Sequence, residues 1–232
     1  MSWFAKYIKS SVGAKHIMAI TGLMLVGFVL AHMLGNLQIF LGRDTLNGYA
    51  ESLKGLGPIL WIMRIGLIAA VVVHIWSAVR LTAMNSAARP VKYKVVHREK
   101  STFASRVMIW SGIIVVAFLV FHLMQFTFGG GPFPDDFNQL QQLEGHDRHD
   151  VFNMVVSGFS RAPVTIAYVI AMFLLCLHLK HGISSLFQTL GINHPKFNGL
   201  IKMAAPGIAV LVFVGNCSMP IACLAGWVKV VV

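Results

Sequence analysis

Residues Arg106–Gln125 read RVMIWSGIIVVAFLVFHLMQ. The stretch is apolar almost throughout, opens on a charge and carries a histidine, His122, near its far end. About 20 mostly apolar residues suffice for a helix to cross a bilayer. An ionisable group inside such a helix is costly to bury and marks a functional candidate. Three other long apolar stretches also hold a histidine deep inside: His32, His74 and His178. A further apolar stretch near the C-terminus holds none.

Composition agrees with a membrane solvent. The chain has 232 residues, of which 56% are hydrophobic and only 12% charged, with a mean hydropathy of +0.72. A soluble domain carries about 25% charged residues. The expectation is a single all-α membrane domain over residues 1–232, a bundle of five transmembrane helices at about 15–41, 59–81, 103–128, 162–190 and 203–227. The first apolar run is too long for a signal-peptide core and reads as a retained span. Residues 1–13 read as an interfacial amphipathic start, with Trp3, Phe4, Tyr7 and Ile8 toward lipid and Lys6 and Lys9 toward headgroups. The stretch 42–58 reads as a short loop ending in the helix breaker Gly55-Leu56-Gly57-Pro58. Residues 129–161 read as the longest loop, with five of the eight acidic residues.

The net charge of +11 does not point to nucleic acid, because the basic residues gather in particular segments. Lys6, Lys9 and Lys15 lie at the N-terminus; Arg80, Arg89, Lys92, Lys94, Arg98, Lys100 and Arg106 lie in or beside the segment between spans two and three; Lys180, Lys196 and Lys202 flank the segment between spans four and five. By the positive-inside rule the N-terminus is cytoplasmic and the C-terminus outside. The basic stretch Arg89–Lys100 is a candidate dock for soluble partners as well as an anchor to anionic lipid. Cys176, Cys217 and Cys223 lie in apolar stretches without a C-x-x-C pair, which fits neither a disulfide framework nor a thiolate metal site.

At about 1.5 Å of rise per residue the histidines acquire depths. His32 lies 17 residues beyond Lys15, and His122 lies 16 beyond Arg106, so both sit about 24–25 Å from the cytoplasmic end. His74 lies 15 residues beyond Ile59, and His178 lies 16 beyond Ala162, on helices running the other way. Both of these sit about 22–24 Å from the outer end. The result is two pairs at two levels. A lone intramembrane histidine is often no more than a hydrogen-bonded polar group, but matched pairs fit flat ligands held between helices. Haem b with two axial imidazoles needs this geometry, and bis-histidine ligation favours electron transfer over oxygen chemistry. His181, three residues after His178, is the alternative fourth ligand. A weak internal repeat supports the pairing: Thr21–His32 reads TGLMLVGFVLAH and Ser111–His122 reads SGIIVVAFLVFH, with hydroxyl, glycine, phenylalanine and histidine in register. Gly22 and Gly112 are read as places where a porphyrin or a neighbouring backbone comes close.

These residues resemble a known family. SSVGAKHIMAITG leading to AHMLGNL at His32, VVHIW at His74, SRVMIWSG leading to FHL at His122, and LHLKHG at His178 are together similar to the di-haem cytochrome b membrane anchor of succinate:menaquinone oxidoreductases and fumarate reductases, the complex II group. The resemblance covers nearly the whole chain. It implies two haems b, with His32 and His122 as ligands of the outer iron and His74 and His178 as ligands of the inner one. It implies a bacterial cytoplasmic (inner) membrane location, and docking on the cytoplasmic side to an iron–sulfur subunit that carries an FAD flavoprotein. It implies a quinone, menaquinone by analogy, that exchanges two electrons and two protons at this subunit. Some members carry an acidic residue two positions before the fourth-span histidine, where this chain has Cys176. Glu51 is the candidate for proton handling beside the outer haem. Lys15, Arg80, Arg106, Lys180 and Ser111 are candidates for haem propionates or quinone.

The chain has no glycine-rich dinucleotide fingerprint and no cysteine cluster, so flavin and iron–sulfur chemistry belong to partners. Two other readings stay open. One is the haem b subunit of a hydrogenase or formate dehydrogenase. The other is a histidine-lined transporter, which the lack of acids in the spans disfavours.

Overall fold

The structure, a computed structural model, describes residues 2–88, 102–144, 146–192 and 194–231. The basic stretch Arg89–Lys100 lies outside the described residues. The fold is an all-α bundle with one small hairpin, and five of its helical segments, 19 to 31 residues long, are apolar enough to cross a membrane. The protein is a multi-pass membrane protein.

Helix α1, Trp3–Lys9, ends at Ser10, whose extended backbone turns the chain and whose hydroxyl caps α2, Ser11–Asn36, by accepting from the Gly13 amide. A Cβ at Gly13 would collide with the Tyr7 carbonyl, so glycine permits this tight fold-back. A 3-10 turn, Leu37–Leu41, extends the first span. Gly42 (φ 102°) then admits helix α3, Arg43–Gly55, and Gly57 (φ 52°) turns the chain into α4, Pro58–Ala87. Next among the described residues come α5, Phe103–Arg106, and α6, Met108–Phe126. Strands β1, Leu140–Leu143, and β2, His146–His149, form an antiparallel hairpin. Helix α7, Val151–Phe159, precedes the long helices α8, Ala162–Thr189, and α9, Asn198–Leu224.

The boundaries differ from the sequence reading in instructive places. The first span begins at Ser11, where Ser10 caps it. The second runs on to Ala87 because nothing in LTAMNSA breaks a helix. The third is interrupted at Val107, so the continuous helix starts at Met108. The fourth, Ala162–Thr189, lies within one residue of its expected bounds, and the fifth, Asn198–Leu224, starts and ends earlier than expected. The stretch read as a short loop is mostly α3, and the long acidic segment contains the hairpin and α7. Both helices are too short or too polar to register as spans.

Packing follows residue size. Helix α4 exposes Trp61, Ile62, Ile65, Ile68, Val72 and Val79 by more than half of their surface, as a lipid-facing side does. Its buried positions, Ala70, Ser77 and Leu81, share one stripe with His74 at helical spacing. Helix α4 packs on α2, α6 packs on α8, and α8 packs on both α2 and α9. Ala205 and Ala209, both essentially fully buried, let α9 lie close against Leu179 and Ile183 of α8.

At one end of the bundle, α3, the hairpin and α7 form a polar cap centred on Asp150, which is 1% exposed. Arg43 donates to its Oδ2 from Nη2 at 2.6 Å and from Nε at 3.0 Å. Asn47 Nδ2 donates to Oδ1 at 2.9 Å and to Gln141 Oε1 at 2.7 Å. The Asn153 amide donates to the Asp150 side chain as the N-cap bond of α7, and the Asn153 side chain exchanges hydrogen bonds with the backbone of Val231. One carboxylate thus ties α3 and α7 together, and its neighbour Asn153 brings in the C-terminal tail. Beneath the cap lies a core of Ile39, Leu46, Phe152, Val156, Phe159, Val164, Tyr168, Met219 and Cys223.

Burial alone would raise the Asp150 pKa, but the bonds from Arg43, Asn47 and Asn153 outweigh it and hold the carboxyl below its ordinary value. Its stabilisation is therefore fully present above the unfolded-state value of about 3.9 and is lost as pH falls through the lower folded-state value. Asp150→Ala is expected to cost about 3–5 kcal/mol at neutral pH, because it leaves Arg43 without its buried partner. Thermal unfolding in detergent should show the gap between wild type and variant narrowing only in acid below the ordinary carboxylate range.

Candidate functional site: two histidine pairs

Each of the four bundle helices that carry the intramembrane histidines contributes one ring to a pair. His32 of α2 meets His122 of α6 with ring centroids 5.7 Å apart. His74 of α4 meets His178 of α8 with centroids 6.4 Å apart. His178, not His181, is the α8 ring that faces His74 among the described residues. Two imidazoles on opposite sides of one metal, each bonded at about 2 Å, leave their centroids roughly 6 Å apart. Among the described residues no group of three or more His, Cys, Asp or Glu side chains gathers around a common point. Each pair therefore offers two nitrogen donors, too few for a bare zinc site, which takes three or four protein ligands.

The second nitrogen of each ring decides which nitrogen the pair presents. Thr21 Oγ1 lies 3.2 Å from His74 Nδ1. Its one proton goes back to its own helix, to the Ile17 carbonyl at 2.8 Å. Ser111 Oγ lies 3.3 Å from His178 Nδ1 and donates to the Met108 carbonyl at 3.0 Å. Tyr168 Oη lies 3.1 Å from His122 Nδ1 and donates to Gln125 Oε1 at 3.2 Å. A hydroxyl has one proton to give. With that proton committed elsewhere, each oxygen accepts from the imidazole, so each of these rings carries its proton on Nδ1 and a lone pair on Nε2. That is the tautomer a metal-binding imidazole uses, with its other nitrogen fixed by an outer partner. His32 has no hydrogen bond to its ring among the described residues; Phe28 stacks on it at 5.3 Å.

The hydroxyl contacts explain the internal repeat. Thr21 and Ser111 occupy its first position, and each serves the histidine of the helix packed beside it, α4 in one case and α8 in the other. The glycines at the second position do the same by their size. A Cβ at Gly22 would lie 3.3 Å from His74 Cε1, and one at Gly112 would lie 3.7 Å from His178 Cε1. The close neighbour that these glycines admit is thus an imidazole ring of the adjoining helix.

The remaining candidates are placed as follows. Ser111, 1% exposed, is occupied with His178, which redirects it from propionate binding to support of a ring. Arg80 donates from Nη1 to the Ile8 carbonyl at 3.2 Å and from Nη2 to the Lys9 carbonyl, and it lies over Trp76, so it closes the end of α1. Arg106 lies over the Phe103 ring. Lys15 is exposed in the second turn of α2, and Lys180 is exposed within α8, two residues beyond His178. Glu51 of α3 faces the hairpin, 3.1 Å from His146 Nε2 and 3.5 Å from Arg148 Nη1. Tyr168 and Gln125 escaped the sequence reading. The signal was there: Tyr168 lies six residues into α8 and His122 near the end of α6, so the two share a level.

Comparisons with family models, with curated proteins and with solved structures returned no match.

The glycine contacts yield a prediction that needs no ligand. Gly112→Ala places its methyl at an ordinary contact distance and gains helix propensity, so it should be neutral or stabilising. Gly22→Ala meets His74 more tightly and should be the worse of the two alanine variants. Valine at either position should cost about 1–3 kcal/mol through overpacking. Thermal midpoints of the four variants in one detergent give the order directly.

Proposed function

We propose that this chain is the membrane-anchor cytochrome b subunit of a succinate:quinone oxidoreductase or fumarate reductase, a complex II. In this reading two bis-histidine haems b carry electrons between a menaquinone site and an iron–sulfur subunit. The observation that carries the reading is the meeting of four intramembrane histidines as two facing pairs, with the Nδ1 of three of the four within hydrogen-bond distance of a hydroxyl on the neighbouring helix.

The donor set fits the group. Two imidazoles per site would be too few to hold a bare metal ion and would suit an iron already held by a macrocycle. When bound, haem with both axial positions filled supplies reversible one-electron transfer at iron and leaves no open position for oxygen. His32 and His122 would hold the outer haem; His74 and His178 would hold the inner one. Thr21, Ser111 and Tyr168 fix the ring orientations, and the apolar side chains of the spans keep water from the sites. All eight acidic residues lie outside the five spans, which disfavours the ion pathway of a transporter. Glu51, in its solvent-linked cluster with His146 and Arg148, is the carboxylate for quinone protons on the outer side. The dicarboxylate chemistry belongs to an FAD flavoprotein, joined through the iron–sulfur subunit on the cytoplasmic face. The membrane is the bacterial inner membrane, with the N-terminus cytoplasmic.

A pyridine haemochrome assay with a reduced-minus-oxidised spectrum tests the reading. Two haems b per chain are expected, one lost in His178→Ala and none lost in His181→Ala. A well-folded preparation without haem would sink the electron-transfer reading and favour the transporter. Loss of a haem only from His181→Ala would move the fourth ligand to His181.

A further inference from the structure

We propose that Tyr168 is the positioning residue that sets the outer haem centre apart from the inner one; the inference rests on the haem reading above. The phenol is 5% exposed and wedged among the rings of Phe118, Phe121, Phe126 and Phe159, at centroid distances of 4.8 to 6.0 Å. These rings leave its oxygen little freedom. Along α6, His122 and Gln125 lie three residues apart on one face, and Tyr168 Oη sits between them as a bridge. The proton order runs from His122 Nδ1–H to Tyr168 oxygen, and from Tyr168 O–H to Gln125 Oε1. Gln125 is itself buried, 8% exposed.

The two levels are therefore held differently. At the inner level both rings have an acceptor, Thr21 for His74 and Ser111 for His178, and each of those hydroxyls returns its proton to a carbonyl of its own helix. At the outer level His122 alone is held among the described residues, and its acceptor is a phenol polarised by a second side chain. Hydrogen bonds in such a chain strengthen one another, more so where the dielectric is low. An imidazole that donates strongly from Nδ1 is the more basic at Nε2 and favours the oxidised metal. One residue thus governs the electronic character of the outer centre.

Redox titration of the purified complex, followed at both haem absorbances, tests this. Ser111→Ala identifies the inner midpoint, because it removes an inner acceptor only. In Tyr168→Phe the outer midpoint should rise by at least a tenfold change in the oxidised-to-reduced ratio, about 59 mV for one electron, with the inner midpoint and the haem count unchanged. Gln125→Leu, which removes the acceptor of the phenol and keeps the ring cage, should move the outer midpoint the same way by less, and it carries the test if Tyr168→Phe does not fold. An unchanged outer midpoint in a two-haem protein, or both midpoints moving together, overturns the proposal and leaves the haem reading standing. A wild-type complex without haem overturns the haem reading instead.

Discussion

An imidazole inside a hydrocarbon layer brings two polar nitrogens, and the bilayer core offers neither a partner. This constraint organises the bundle. Three of the four intramembrane histidines solve half of it in the same way, by giving the Nδ1 proton to a hydroxyl on the helix packed beside them. The other half, the Nε2 lone pair, is left for whatever lies between facing rings. Support and pairing therefore use different helix contacts. The hydroxyl bonds lie within the packed pairs α2 with α4 and α6 with α8, while the ring-to-ring meetings run across them, from α2 to α6 and from α4 to α8. A group held between the facing rings would tie one helix pair to the other.

The polar cap solves a similar problem by opposite means. Asp150 is a charge buried almost completely, and it is tolerated because each oxygen receives several donors. Those donors come from α3 and from the first turn of α7, and Asn153 extends the network to the C-terminal tail. The cap's apolar underside includes Tyr168, through which the cap and the outer histidine pair share one packed core. Rigidity at that end of the bundle is thus delivered to the one ring-holding residue that lies there.

The five spans and the two histidine levels were legible because hydropathy and helical rise are properties of single helices. What a single helix cannot report is which neighbour it packs against. The glycines at 22 and 112 were recognisable as places of close approach, yet the object approaching them, an imidazole of the adjoining helix, depends on the α2–α4 and α6–α8 contacts. Ser111 looked like a propionate partner for the same reason: its hydroxyl was visible, its neighbour was not. Helices α3 and α7 were hidden by length and polarity, since neither has a long apolar stretch, and α3 is held by the Asp150 carboxylate, the Phe152 amide of α7 and Arg148 of the hairpin, which lie some hundred positions away in sequence.

The repeat has a geometric reason. Eleven residues make almost three whole turns, so Thr21 and His32 fall on nearly the same face of α2, about 16 Å apart, as do Ser111 and His122 on α6. One face of each helix can then support the inner level with a hydroxyl and the outer level with a ring. The hairpins α2–α4 and α6–α8 each bring one outer and one inner histidine, and the pairings exchange equivalent residues of the two. Equivalent residues of the repeat thus face each other, His32 with His122 and His74 with His178. The likeness is partial: α2 packs closely on α8 whereas α4 and α6 do not pack so, and one supporting position differs. Ten residues before the inner histidine stands Tyr168 in α8 but Arg64 in α4, and Arg64 lies against Trp61 instead of reaching a ring of the outer pair. His32 and His122 each have the repeat's phenylalanine beside them, Phe28 and Phe118, and His122 has the phenol in addition. At these equivalent positions Tyr168 reaches the His32–His122 pair and Arg64 does not, which gives the two rings of that pair different surroundings.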